Sequence, residues 1–418
     1  MIGVGLSIGR RRYAGGPTLD LDFLTHPVLP PAFTFKRASN ATYFGTDGLM
    51  QTAAPSVARF DCEPSTRQQR GQLIEGPRTN YLTNSAAAEK WTLYGVSATA
   101  NGPPGPDGIT PSRRVTENLS STTVHAISQA PALALASVNA VSYASRLHAA
   151  ERTEVRLMLA NGGTTAYCGA TFDLVGGVVT AKSANVGEWT LVASSIVPLG
   201  GGWWECRIVG SVTSAVSVRG STYLSVDGDY NYPGDGASGL YHASSQLELY
   251  GFPTSYIPTT TASASRAADL MNSSDLTWYN REEGTLLVDA AMVGVYGGGW
   301  FAVSLDNGVN NGIGIYKTNG TGAMNAFSGG SAPLGVILTD AQRFRAAVAY
   351  SNGGASAVAS INGRPPIVIG TAAAVVPTQF SIGSSQNGSF GASMWARAVR
   401  YWPTRMEGAA LSDLTRLN

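Results

Sequence analysis

The chain has 418 residues, a net charge of +1 and only 13% charged residues, against about 25% in an ordinary soluble protein. That length suits two or three domains, each with its own core. The near-zero charge offers no field for nucleic acid or an anionic membrane and favours a neutral or weakly charged partner. The 50 glycines exceed the usual share of roughly 7% and point to many turns and little charged helical surface.

In chain order, MIGVGLSIGRRRYAGG places its three arginines after a short apolar run, the reverse of a signal peptide. No run reaches the roughly 18 apolar residues of a membrane helix, so no membrane insertion is expected and synthesis is expected in the cytosol. Gly5-Leu6-Ser7-Ile8-Gly9 matches G-x-S-x-G, but it opens the chain and lacks the strand and helix that a nucleophile elbow requires. Pro27, Pro30 and Pro31 close a segment without periodicity. Residues 1–30 are therefore predicted to be an extended docking arm.

From residue 33 onward, short stretches of period-two alternation separated by Gly, Asn and Asp turns predict an all-β fold of two β-sandwich domains. In FTFKRASNATYFGTDGLMQTAAPSVARFD (33–61), alternation around Asp47-Gly48 predicts a hairpin of 42–44 and 49–52. In VSYASRLH (141–148), Val141, Tyr143 and Leu147 form a core face, leaving Ser142, Arg146 and His148 on an open one. The strand 222–227 turns Tyr223, Ser225 and Asp227 outward. In 239–250, Tyr241, Ala243, Leu247 and Leu249 are expected inward and His242, Ser244, Gln246 and Glu248 outward.

The small polar run TTTASASRAADLMNSSD (259–275) predicts a domain boundary near 270, giving domains of 31–270 and 271–418. Alternation then resumes through Leu286, Val303 and Val348. Asn362-Gly363 marks a two-residue hairpin turn. Leu411, Leu414 and Leu417 suit one short closing helix.

Chemical motifs are sparse. Cys62, Cys168 and Cys206 are widely spaced and read as buried, inert thiols. SVDGDYNYPGDG begins like a calcium loop, but Tyr232 replaces the required Gly and Ser238 the closing Glu. It reads as a turn, with a looser calcium site as the alternative, and neither a cofactor nor a metal is predicted. Asp227 and Glu248 could form a hydrolase pair only if their strands bring them face to face. A sugar ring stacks on aromatic faces while its hydroxyls bond polar side chains, so the predicted carbohydrate-binding set is Arg146, His148, Tyr223, Asp227, His242, Gln246 and Glu248. Trp203 and Trp204 read as core and edge packing.

The stretch 33–61, followed by RGQLIEGPRTNYLTNS (70–85), resembles the head-spike-fibre module of bacteriophages, prophages and gene transfer agents. GDGASGLYHASSQLELYGFPTSYIPTTTASASRAADL is similar to the end of the jelly-roll, carbohydrate-binding-module-like domain that follows it. FSIGSS and FGASMWARAVRYWPTRMEGAALSDLTRL resemble the closing elements of concanavalin-like or laminin-G-like sandwiches. The resemblance implies a virion spike or fibre that binds host capsular or surface polysaccharide, fixed to a capsid or spike-base protein through residues 1–30. It brings no fixed catalytic set. Two departures, Ala243 in place of a bulky aromatic and GWWEC in place of Gly-Trp-Tyr-x-Cys, leave the sugar open. Weak single-site sugar binding predicts a symmetric homo-oligomer. A non-enzymatic adhesin is expected; the alternatives are a polysaccharide depolymerase and a purely structural fibre.

Overall fold

The structure, a computed structural model, describes residues 15–131, 133–135, 140–162, 165–182, 185–214, 216–294, 299–307, 312–318, 321–370, 376–385 and 391–417. It is all-β, with 53% strand and 4% helix arranged in antiparallel sheets. Most strands fall into two sandwiches, and the second is assembled from both ends of the chain.

The first sandwich spans roughly residues 80–260. One of its sheets runs in the order Trp189–Gly200, Trp203–Val212, Ala140–His148, Gly239–Leu249, Arg113–Glu117 and Val96–Thr99. The facing sheet runs Val178–Lys182, Tyr167–Asp173, Glu154–Ala160, Arg219–Ser225, Ala126–Gln129 and Thr92–Tyr94. Alternation puts Val141, Tyr143 and Leu147 from one sheet against Val155, Leu157, Leu159 and Leu224 from the other, with Trp189 filling the centre. Each such side chain gains about 1.5–3 kcal/mol from burial. Cys168 and Cys206 lie in this core, and all three cysteines are buried and free.

The second sandwich takes its strands from 270–402 and, from the N-terminal part, Leu19–Asp22, Thr34–Lys36, Arg59–Cys62 and Gln69–Ile74. Met394–Trp402 pairs with Gly284–Met292 on one side and, on the other, with Gln69–Ile74 at its start and Leu19–Asp22 at its end. Thr34–Lys36 pairs with Leu270–Ser273 in the opposite sheet. Phe23, Phe33, Phe35 and Ile74 pack in one core with Leu286, Val303, Phe344 and Val348. The expected breaks at 30/31 and 270/271 therefore do not fall between folding units. Leu19–Asp22, expected in a free arm, is a sheet strand because Leu19 and Leu21 have a core to enter. Residues 1–14 of that arm lie outside the described residues.

Local turn chemistry behaves as the sequence predicts. Ala41–Phe44 pairs with Met50–Ala53 around Asp47-Gly48, with Gly48 at φ 79°. Asn362 and Gly363 both have positive φ, 51° and 78°, and the Arg364 N–H closes on the Ile361 carbonyl at 3.0 Å, as a two-residue hairpin turn requires. The helix Gly408–Thr415 buries Leu411 on the Leu287 and Ala347 side of its sheet, while Leu417 lies beyond its end.

A buried charge network joins the two sandwiches. Arg37 meets Asp269 at 3.1 Å, Arg59 bridges Asp269 at 2.5 Å and Glu75 at 2.8 Å, and Arg266 meets Glu75 at 3.2 Å. All five side chains are almost fully excluded from solvent. Carbonyl oxygens of Ala54 and Gly76 take further guanidinium hydrogens from Arg37 and Arg266, each at 2.7 Å. Burial opposes the charge on Glu75, but Arg266, Arg59 and the Ser255 hydroxyl outweigh it and hold the carboxyl at about 2.

Candidate functional site

The hairpin, the first sandwich and the second sandwich converge on a cleft of about 610 Å³, which Glu75 of the charge network helps to line, inside the usual range of roughly 300–1,000 Å³ for ligand sites. The N-terminal segment contributes Tyr43, Phe44, Asp61 and Arg70; the first sandwich contributes Arg146, Ser194, Ser195, Glu205 and Arg207; the second contributes Trp395.

Its geometry follows from strand alternation. Ala140–His148 and Trp203–Val212 pair so that Arg146 opposes Glu205, and Arg207 stands on the same face two residues on. Both guanidinium groups close on the Glu205 carboxylate. Burial would raise this acid, but Arg146 and then Arg207 lower it. Arg146 also lies 4.5 Å from the centre of the Tyr256 ring. Across the cleft, Arg70 sits 4.8 Å from the Trp395 ring centre. Asp61 accepts from the Trp395 indole N–H and the Phe44 backbone N–H, each at 2.8 Å. Burial raises its carboxyl, against the opposing charge of Arg70. The cleft thus combines half-buried aromatic surface with fixed charges and hydroxyls, the mixture that holds a polyhydroxylated ring.

The structure divides the sequence-predicted set instead of assembling it into one groove. Arg146 reaches the cleft. Gln246 and Glu248 share its outward face, but that face is not open, because the segment 250–260 folds across it. The Gln246 side-chain carbonyl accepts from Ile257 N at 2.6 Å and its amide donates to Thr254 O at 3.2 Å. Glu248 accepts from the Thr254 N–H and hydroxyl at 2.7 and 2.6 Å, and burial raises its carboxyl.

His242 does not face outward at all. A bulge in Gly239–Leu249, where the register shifts opposite Arg146 and Leu147, leaves Ala243 as an extra residue; one such insertion exchanges inward and outward positions beyond it. His242 is consequently opposite Leu147 on the core side, edge-on to Trp91 at 5.5 Å and bonded to the Ser245 hydroxyl at 2.8 Å. Burial, aided by Arg113, lowers it to about 3. Tyr241 takes the outward place and, with Trp203, brackets the half-buried His148 ring, whose Nδ1 lies 2.6 Å from the Ala149 carbonyl.

Tyr223 belongs to the other sheet and points away from the cleft. Asp227 is exposed in the turn after Arg219–Ser225, with φ at 51°, so it does not face the buried Glu248 as a hydrolase pair. In the acidic loop, Asp235 accepts from the Ala237 and Ser238 N–H groups at 2.8 and 2.7 Å, a turn-forming role. Among the described residues no group of three or more His, Cys, Asp or Glu side chains is placed to hold a metal ion. No helix among them is long and apolar enough to cross a membrane.

Sequence reasoning passed over Asp61, Arg70, Glu205, Arg207 and Trp395. One signal was present: GWWEC puts a lone acid on a strand face beside Arg207, a charge that burial forces to find partners.

No protein-family model matches the chain, and no curated protein matches it either. Among solved structures it is similar to a Trypanosoma rangeli sialidase in complex with 2,3-difluorosialic acid, at 11% identity and a TM-score of 0.29, covering 64% of this chain and 52% of that one. The chain thus spans about half the length of that sialidase. It is also similar to a provisionally assigned carbohydrate binding protein from Bacteroides ovatus, at 12% identity and a TM-score of 0.27, covering 72% and 82% of the two chains. A tail fiber protein from an E. coli phage matches at 8% identity and a TM-score of 0.17, covering 90% of this chain and 41% of that one. The expectation of a non-enzymatic chain is corrected to the extent that the similar solved structures include sialidases, at TM-scores of 0.29 and 0.27.

Proposed function

We propose that this chain binds a surface carbohydrate in the junction cleft, as a spike or fibre component of a phage-like particle. The observation that carries the binding assignment is the pairing of Trp395 with Arg70 across from Arg207, Ser194 and Ser195 in one cleft. Stacking on the indole and hydrogen bonds from guanidinium and hydroxyl groups are the two interactions a sugar needs. The resemblance of 33–61 and 70–85 to head-spike-fibre modules supports the particle-surface setting. The anchoring segment then lies N-terminal to Leu19, because Leu19–Asp22 is committed to the sheet.

Glycan-array binding by the full chain, repeated with Trp395→Ala and Arg207→Ala, tests the assignment. Both variants should lose the array signal while keeping the wild-type circular dichroism spectrum; undiminished binding by both removes the cleft from consideration.

A second reading, hydrolysis of the bound glycan, is favoured by two of the carboxylates that line the cleft, Asp61 and Glu205. Burial raises Asp61 while Arg146 and Arg207 hold Glu205 ionised, and opposed environments of this kind separate an acid from a charge-stabilising group. Incubation with purified capsule should then yield shortened chains with wild type and none with Asp61→Asn. Intact capsule with the wild type excludes it.

A further inference from the structure

The segment that folds across the outward face of the first sandwich begins with Tyr250, whose backbone lies in the left-handed region at φ 84°. A bulky side chain rarely adopts that conformation, which persists only where the surroundings enforce it. Here the Tyr250 N–H donates to the Ala140 carbonyl at 2.8 Å. The ring itself is displayed, with Tyr250 49% exposed.

Three side chains form a stack from this surface to the cleft. The Arg78 guanidinium carbon lies 4.3 Å from the Tyr250 ring centre and 4.6 Å from that of Phe252, so the two rings are no further apart than those distances combined. Phe252 lines the cleft. It is pressed on Gly294 of the second sandwich, where a Cβ would come within 2.0 Å of the ring. Arg78 is placed by the pairing of Arg78–Asn80 with Ala264–Arg266. It is half-buried, and its Nε has no hydrogen-bond partner. Burial works against its charge, and Glu248 is the main group that offsets this. An aromatic face in solvent, held rigid beside a guanidinium with donors left over, supplies both interactions a sugar ring uses.

We infer that Tyr250 and Arg78 form an outer subsite of the cleft, which makes the ligand an extended oligosaccharide chain and not a single terminal sugar. This rests on the cleft being the carbohydrate site. One sugar ring sits against Trp395; the chain leaves past Phe252, and a later ring stacks on the solvent-facing side of Tyr250 while its hydroxyls accept from Arg78. The strained backbone then has a reason. Glycine or asparagine would suit a positive φ better, but neither carries a ring.

Isothermal calorimetry of the full chain with cello-, laminari-, manno- and chito-oligosaccharides, each from disaccharide to hexasaccharide, tests the subsite. In at least one series the wild type should bind the longer members about tenfold more tightly than the disaccharide. Tyr250→Gly and Arg78→Gln should each remove that gain and leave the disaccharide affinity unchanged. Tyr250→Gly should also keep or raise the melting temperature, because glycine relieves the positive φ. A lowered melting temperature with unchanged binding would make Tyr250 a packing residue and overturn the proposal. An equal gain with length in wild type and both variants overturns it too, while leaving the cleft in place, and so does the absence of binding in all four series. Trp395→Ala separates the two assignments: it should abolish binding at every length, and undiminished binding there removes the cleft and the subsite with it.

Discussion

The two outward faces of the first sandwich are written in the same alternation and end in different surroundings. On the sheet containing Ala140–His148 and Gly239–Leu249, Gln246 and Glu248 are sealed beneath the 250–260 segment and Arg146 borders the cleft. On the sheet containing Glu154–Ala160 and Arg219–Ser225, Tyr94, Tyr167 and Tyr230 keep solvent contact. The difference teaches that alternation reports which side of a strand opposes its own core, and nothing about what the rest of the chain lays over the other side. A polar outer face can be an interface within the protein. Its polar residues are then paired for stability, not displayed for a ligand.

The sealed face and its charge network should be sensitive to substitution. Asp269→Ala leaves Arg37 and Arg59 buried without their shared carboxylate, a change worth about 3–5 kcal/mol. Calorimetry should show a markedly lower melting temperature; a shift of a degree or two would mean the network does not hold the sandwiches together. Deleting residues 1–30 should also destabilise by several kcal/mol, because Leu19, Leu21 and Phe23 leave the second core. An unchanged melting curve would show that the strand Leu19–Asp22 is dispensable.

Acid should weaken the fold through two groups of the same sign. His242 is held neutral in the fold at about 3, so the fold loses stability as pH falls below about 6.5, the unfolded value, toward 3. Glu75 contributes fully above about 4.3 and loses its contribution as pH falls toward 2. Glu248 acts the other way, since burial favours its protonated form. His242→Gln should therefore flatten the melting-temperature profile between about pH 6.5 and 4.5, and an unaltered slope there would remove His242 as a cause. The smallest effect belongs to the exposed margin of the other face: Tyr94→Ala should change stability by about 0.5 kcal/mol or less, measured by urea unfolding, and a larger loss would make Tyr94 a packing residue.

Much of the architecture was legible. Period-two alternation with Gly and Asn turns gave the all-β class, the core positions Val141, Tyr143 and Leu147, and the hairpin turns at Asp47-Gly48 and Asn362-Gly363, because each depends on neighbours a few residues away. Cys62, Cys168 and Cys206 also read correctly as buried thiols. His242 did not, because a one-residue bulge leaves no mark in an otherwise regular pattern. The cleft did not either, since Asp61, Arg146, Glu205 and Trp395 come from strands up to 334 residues apart.

The sequence by itself determined which segments become strands, where they turn and which residues face a core, since these follow from local sterics and side-chain period. Only the tertiary structure decided that strands between Leu19 and Ile74 complete the second sandwich, that one outward face of the first is sealed and the other exposed only at its margin, and that Asp61 and Trp395 meet. Those outcomes depend on long-range strand pairing and on burial of charge, which act between residues that no local pattern connects.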